Sequence, residues 1–417
     1  MKKVIGFLIM MWTAISCSPR IPLTENQSLV GSLMKQHPSK FKRILNDWDT
    51  LDVQIIYTQI NRDSLNRPHF KSFYFHVDST NYFYPASTVK LPMTLLALEK
   101  LNQLNIKGLD KFTPMFSDSV YSGQISVKKD STAENGLPSI AHYAKKILLV
   151  SDNDAHNRLY EFVGQKATNQ ILKEKGYNIR ILHRLQRFLK PDENRHTEAI
   201  RFVRNDSVIY SQPMLVNEDS IKPPRRIFKG KSYVTNDGKL LFDKPFEFTY
   251  KNSNPLQTQQ DILKAVLFPE SVDSRKRFLI TDVDRKFVMQ YMSELPCEAK
   301  HPQYYEDKNY VDGYAKFLMF GEKKKIPANI RIFNKIGDAY GFMIDNAYIV
   351  DFKNNIEFML SAVINTEVDG IYNDDNAKYH EIGFPFMRNL GKTVYQYELK
   401  RKRKYKSDLS EFKMKYN

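Results

Sequence analysis

The chain has 417 residues, 42% hydrophobic and 13% aromatic, which supplies apolar material for one large core or two ordinary ones and excludes a disordered protein. Its formal charge is +16, and its two cysteines exclude a disulfide scaffold. The nine histidines show no His-x-His or His-Glu-x-x-His spacing and there is no glycine-rich phosphate loop, so neither a metal nor a cofactor is expected.

Lys2 and Lys3 form a charged start, and Val4 to Trp12 an apolar run too short to span a bilayer stably, as in an export signal. Ala14-Ile15-Ser16-Cys17 follows, and small residues before a cysteine resemble a lipobox, with Ala14 where leucine is usual. Residues 1–17 are therefore expected to be a lipoprotein signal, with Cys17 lipidated and the chain held in the cell envelope, facing the periplasm or exterior. Cys297 is then left without a partner and is expected to be a partly buried, inert thiol.

Residues 18–36 are polar and suit a linker, and the domain is expected to begin near Ser39 and run over residues 37–397. Phe41 to Trp48 can form a helical face, Leu51 to Tyr57 and Phe70 to Val77 read as strands, and Asn61 to Pro68 as the turn between them. Leu91, Leu95, Leu98 and Leu101 recur at helical spacing, which sets Ser87 at the start of a helix, with Pro92 near its first turn. Ile140 to Val150 and Ala155 to Val163 are two further helices, and Ser151-Asp152-Asn153 falls in the break between them.

Arg201 to Tyr210 and Ser232 to Tyr250 read as hairpins within an insertion at about 200–254, which is expected to line the cleft. Gln257 to Leu267 and Asp284 to Leu295 return to helical spacing. Ile330 to Asn334, Ala347 to Phe352 and Phe358 to Ile364 read as strands, closed by a helix from about His380 to Tyr397. Residues 398–417 hold the run Lys400-Arg401-Lys402-Arg403-Lys404, expected either as a solvated end or as a contact for anionic headgroups. This order implies an α+β (α/β) fold in which both chain ends complete one antiparallel sheet of the five-stranded type, flanked by helices, with a helical subdomain inserted.

The chemistry centres on Ser87-x-x-Lys90. Positions i and i+3 share one helical face, so a neutral lysine there can take the serine's proton, provided burial depresses its pKa. The bare pattern also occurs at Ser32, Ser39, Ser126 and Ser410, so context selects Ser87: it opens an apolar helix, Ser151-Asp152-Asn153 follows, and Lys335-Ile336-Gly337 ends a strand.

In order and spacing these three motifs resemble those of the penicillin-binding proteins and class A β-lactamases. The resemblance implies that Ser87 is the nucleophile, Lys90 its base, and Ser151 the residue that passes a proton to the leaving nitrogen. It further implies that Asn153, Lys335 and Gly337 bind substrate and that the N–H groups of Ser87 and Asp338 form the oxyanion hole. Ile336 stands where that family has threonine or serine. In the loop Arg184-Leu185-Gln186-Arg187-Phe188-Leu189, Leu189 takes the place of the deacylating glutamate, leaving Glu193 or Asp192 as the possible base. The expected protein is a monomeric serine hydrolase acting on a β-lactam or a peptidoglycan-derived substrate, with no nucleic-acid partner. A D,D-peptidase and a non-catalytic wall-binding lipoprotein are the alternatives.

Overall fold

A computed structural model describes residues 29–220 and 222–416. The signal segment and Cys17 lie outside the described residues.

The chain opens with α1 (Leu29–Lys35) and α2 (Pro38–Asn46), then β1 (Gln54–Arg62) and β2 (Pro68–Phe75). A 3-10 turn over Ala86–Val89 leads into α3 (Lys90–Leu104), followed by β3 (Met115–Asp118). Four helices come next: α4 (Ile140–Val150), α5 (Asn153–Val163), α6 (Gln165–Glu174) and the short α7 (Pro191–Arg195). The strands β4 (Ala199–Arg204) and β5 (Ser207–Gln212) pair in the order β3-β4-β5. Among the described residues the stretch beyond them holds only the fragments β6 (Phe228–Lys229), β7 (Ser232–Val234), β8 (Leu240–Leu241) and β9 (Phe246–Glu247). Then come α8 (Leu256–Leu267), α9 (Asp282–Ser293) and the single turn α10 (Phe317–Phe320). The chain closes with β10 (Ile330–Ala339), β11 (Phe342–Asp351), β12 (Ile356–Asn365), β13 (Ile371–Tyr372) and α11 (Phe384–Lys400).

The main sheet has five strands in the order β10-β11-β12-β1-β2, all antiparallel. Every residue of β11 and β12 is buried, because helices cover both faces of the sheet. One face packs Ile332, Phe358 and Leu360 against Val30, Phe41 and Phe386 of α1, α2 and α11. The other packs Phe333, Tyr348 and Met359 with the apolar residues of α3, α4, α5, α8 and α9. Both ends of the chain thus complete one sheet, with the helical part set between them, as expected of the serine β-lactamase and penicillin-binding-protein fold.

Three details differ from the sequence reading. The fold begins before Ser39: Val30, Leu33 and Met34 of α1 are buried, so part of the expected linker belongs to the core. The end of the chain does not hang free, since Leu409 and Phe412 are buried and the Phe412 ring lies 4.8 Å from that of Tyr348. Its basic residues are partly neutralised from within: Glu398 accepts from Arg401 and Arg403. Cys297 is exposed rather than partly buried, and local desolvation and the neighbouring Asp312 push its thiol up to about 11. Among the described residues no helix is long and apolar enough to cross a membrane.

Candidate active site

Helix α4 starts on Ser139, whose Oγ accepts from His142 N at 3.1 Å, and ends on Ser151 in the left-handed region at φ 63°. Asp152 then caps α5, accepting from Ala155 N at 2.7 Å. These two helix ends, back to back, fix Ser151 and Asn153 beside the start of α3. Against the same point lies β10, held close by Gly337: a Cβ there would stand 2.8 Å from Pro85 O and 2.9 Å from Ser87 N. Only glycine allows the strand this near the turn that carries Ser87.

The structure therefore gathers Ser87, Lys90, Ser151, Asn153, Lys335 and Gly337 from three separate parts of the chain. Lys90 is completely buried, and its Nζ contacts Ser151 O, Asn153 Oδ1 at 2.7 Å and Ser151 Oγ at 3.3 Å. Burial lowers its pKa to about 7, against the partial counter-pull of the Asp152 and Asp338 charges. Two N–H bonds to the carbonyl and amide oxygens leave a neutral amine with its lone pair available. Lys335, also buried, donates to Ser151 Oγ at 2.7 Å and to Ile336 O at 2.9 Å. Burial and the nearby Lys90 charge hold its amine well below the usual lysine range.

A groove of about 700 Å³ opens over Ser87. Ser87, Asn153, Asp338 and Tyr340 line it, together with His183 and Lys251. Tyr340 and Gly341 form the two-residue turn between β10 and β11, with φ of 50° and 74°, which puts the tyrosine at the groove's edge. Of residues 200–254, only Lys251 lines the groove among the described residues, so most of the insertion lies away from the cleft it was expected to line. Ile336 is buried in the apolar cluster with Ile332 and Phe386 and offers nothing to a ligand.

The loop after α6 is pinned by buried charge. Arg184 donates to Glu161 through Nε at 2.5 Å and Nη2 at 2.7 Å, and its remaining N–H groups reach Asn194 O and His196 O. This geometry turns Phe188 toward the groove, while Leu189 packs outward against Gly123. Glu193 does not join Ser87: it accepts from Ser122 Oγ at 2.7 Å and from Lys190 N at 2.9 Å on the outer side of the loop. Those bonds lower its pKa, which weakens it as a base.

His183, Lys251 and Tyr340 were missed because they come from distant loops with no shared spacing. The tight turn at Tyr340-Gly341 was the one available signal. Among the described residues Glu367, Asp369 and Asp374 offer carboxylate oxygens within 4.8 Å of one another near the groove, a spacing that could hold a cation. Burial and the charges of Asp374 and Asp369 raise Glu367 to about 8, so a shared proton also satisfies this trio.

Residues 39–214 match the family described as the β-lactamase enzyme family. No curated protein matches the chain. Among solved structures it is similar to a β-lactamase from Xanthomonas campestris pv. campestris, with 12% identity and a TM-score of 0.46, over 87% of this chain and 98% of that one. A β-lactamase from Sphaerobacter thermophilus gives 11% and 0.46, over 88% and 98%. A mutant of PBP-A, recorded as an acyl-enzyme complex with penicillin G, gives 14% and 0.44, over 89% and 97%. Over residues 39–214 the chain thus resembles the β-lactamase enzyme family.

Proposed function

We propose that this protein forms an acyl-enzyme at Ser87 with a β-lactam or a related amide and clears it slowly. The observation that carries the reading is the buried Lys90 amine, brought to about 7 and bonded to Ser151 and Asn153. In the acylation step Ser87 Oγ attacks the amide carbonyl carbon while its proton passes to the neutral Lys90 Nζ. The N–H groups of Ser87 and Asp338 hold the resulting oxyanion, each such donor being worth roughly 3 to 4 kcal/mol. The C–N bond then breaks, the leaving nitrogen takes the Ser151 hydroxyl proton, and an adjacent lysine ammonium restores it.

Hydrolysis of the acyl-serine needs a base for water. Leu189 has no basic group, and Glu193 is committed to Ser122 and Lys190. Loss of general-base help costs about 10² to 10⁴ in rate, so acylation outruns deacylation. That balance also favours a second reading, a D,D-peptidase or transpeptidase whose natural acyl donor is a wall stem peptide. Mixing the protein with a chromogenic cephalosporin and, separately, with a D-alanyl-D-alanine peptide tests both. A burst stoichiometric with protein followed by slow turnover supports the proposal, D-alanine release supports the peptidase, and silence toward both on folded protein rejects acylation. We further propose that Cys17 carries a lipid that tethers the domain to the cell envelope, to be checked by membrane fractionation of the wild type and Cys17→Ala.

A further inference from the structure

Glu398, near the end of α11, is fully buried and anchors the chain that follows it. Its Oε1 accepts from the Tyr57 hydroxyl, its Oε2 from Arg401 Nε at 2.7 Å and from Arg403, and its carbonyl oxygen from Arg403 Nη1 at 2.9 Å. Arg401 also reaches Asn61 Oδ1 at 2.5 Å and Ile60 O at 3.2 Å, so the segment crosses the end of β1. Farther on, Asn66 Nδ2 donates to Asp408 O at 3.0 Å and Asp408 N donates to Asn66 Oδ1 at 3.1 Å, which fixes the tail beside the β1–β2 turn.

Between these two anchors the chain alternates. Arg401, Arg403 and Tyr405 are half-buried and Ser407 is buried, whereas Lys402, Lys404 and Lys406 are exposed, as is Lys400 before them. Extended chain turns successive side chains to opposite sides, with like-facing residues about 7 Å apart. Glu398 thus takes up the charge of the two arginines and leaves four lysines in a row, with no acidic residue from 399 to 407 to offset them. None of the four has an ion-pair partner among the described residues. Leu65, 71% exposed, stands beside Asn66 at the same rim and adds an apolar contact. The start of the fold lies on the same side: Val30 and Met34 of α1 pack with Phe386, Leu390 and Val394 of α11 on one face of the main sheet. Only residues 18–28 separate Cys17 from Leu29, a reach of at most about 40 Å when fully extended. We propose that Lys400, Lys402, Lys404 and Lys406 form a docking face for the anionic phospholipid headgroups of the bilayer, so that the domain lies against the membrane. This rests on the cell-envelope placement proposed above and adds an electrostatic contact to the Cys17 lipid.

The test measures binding of the full chain carrying Cys17→Ala, which cannot be lipidated, to vesicles of phosphatidylcholine alone and of phosphatidylcholine with phosphatidylglycerol. Two further proteins are compared in that background. One has Lys400, Lys402, Lys404 and Lys406 all changed to Gln, and the other has four exposed lysines elsewhere, Lys107, Lys128, Lys239 and Lys308, changed likewise. A lysine at such a surface is worth about fivefold in affinity, so the tail variant is expected to lose about 10² to 10³ on the anionic vesicles. The second variant, equal in net charge, is expected to lose less than about threefold, because charges more than about 10 Å from the surface are screened at 0.1 M salt. Matching melting temperatures show that the tail stays seated. Equal losses in the two variants mean bulk charge and overturn the proposal, as does equal binding to the two kinds of vesicle. Preference for soluble poly(glycerol phosphate) in competition with the vesicles assigns the lysines to a wall polymer and also overturns it. If Cys17 proves unmodified in cells while the tail lysines still govern vesicle binding, the tether reading falls and this one stands. A lipidated protein whose Cys17→Ala form ignores anionic vesicles keeps the tether and rejects the docking face.

Discussion

Lys335 Nζ donates to Ser151 Oγ across 2.7 Å, while Lys90 Nζ lies 3.3 Å from the same oxygen. One hydroxyl therefore stands between two buried amines. Two ammonium groups so placed repel each other, and among the described residues neither has a carboxylate in hydrogen-bond contact to offset burial, so the loss of one proton is favoured. A hydroxyl that accepts from both amines and keeps a proton of its own can give that proton to a leaving nitrogen and recover one from Lys90 once Lys90 has taken the proton of the attacking serine.

Replacing Lys90 by methionine is expected to reduce the acylation rate by about 10² to 10⁴ while leaving the fold intact. The buried amine costs desolvation that a methionine avoids, so the melting temperature is expected to hold or rise. Stopped-flow acylation and thermal denaturation check the two halves.

The acylation rate is expected to climb with pH and level off above the Lys90 value of about 7, since only the neutral amine accepts a proton. Stability follows from the same shift. The folded value lies below the ordinary 10.5, so between about 7 and 10.5 the unfolded chain binds more protons than the folded one, and the stability of wild type relative to Lys90→Met rises across that window. Urea titrations of both proteins at pH 7 and pH 10 measure this difference.

Removing either half of the Arg184–Glu161 pair leaves a buried charge unpaired, at a cost of roughly 3 to 5 kcal/mol. Glu161→Gln is expected to destabilise by that order and to expose residues 184–196 to limited proteolysis. A variant as stable and as resistant as wild type refutes the pinned loop.

Gly337→Ala pushes a methyl to within 2.8 Å of Pro85 O and 2.9 Å of Ser87 N. The Ser87 turn must shift, and a displacement of this kind is expected to cost about 10² in acylation rate with the far-UV spectrum unchanged. By contrast, Glu193→Gln is expected to alter deacylation by less than about twofold, since general-base help worth 10² or more is not its contribution.

Much of this was legible in the sequence. Ile140–Val150 reads as a helix because its apolar residues keep helical spacing and Ser139 caps it. The runs Ile330 to Asn334, Ala347 to Phe352 and Phe358 to Ile364 mark β10, β11 and β12 by their largely buried apolar residues, although each strand extends beyond the run. Two of the three motifs sit at ends of regular elements, Ser87 before α3 and Ser151-Asp152-Asn153 between α4 and α5, whereas Lys335-Ile336-Gly337, read as ending a strand, lies within β10, which runs on to Ala339. The rest depended on contacts between distant segments. Val30 and Phe412 belong to the core only because the sheet face and the cluster around Tyr348 receive them, and neither lies in a sustained periodic pattern. Lys251 reaches the groove through the irregular stretch around Asn252, which no local rule foretells.

The most direct test of the central claim is intact-mass analysis of the full chain after exposure to benzylpenicillin, with Ser87→Ala in parallel. The account expects the wild type to gain the mass of one intact penicillin, mapped to Ser87 by peptide digestion, and the variant to gain nothing. An unmodified wild type that releases no opened drug, or an adduct that survives in Ser87→Ala, would contradict it.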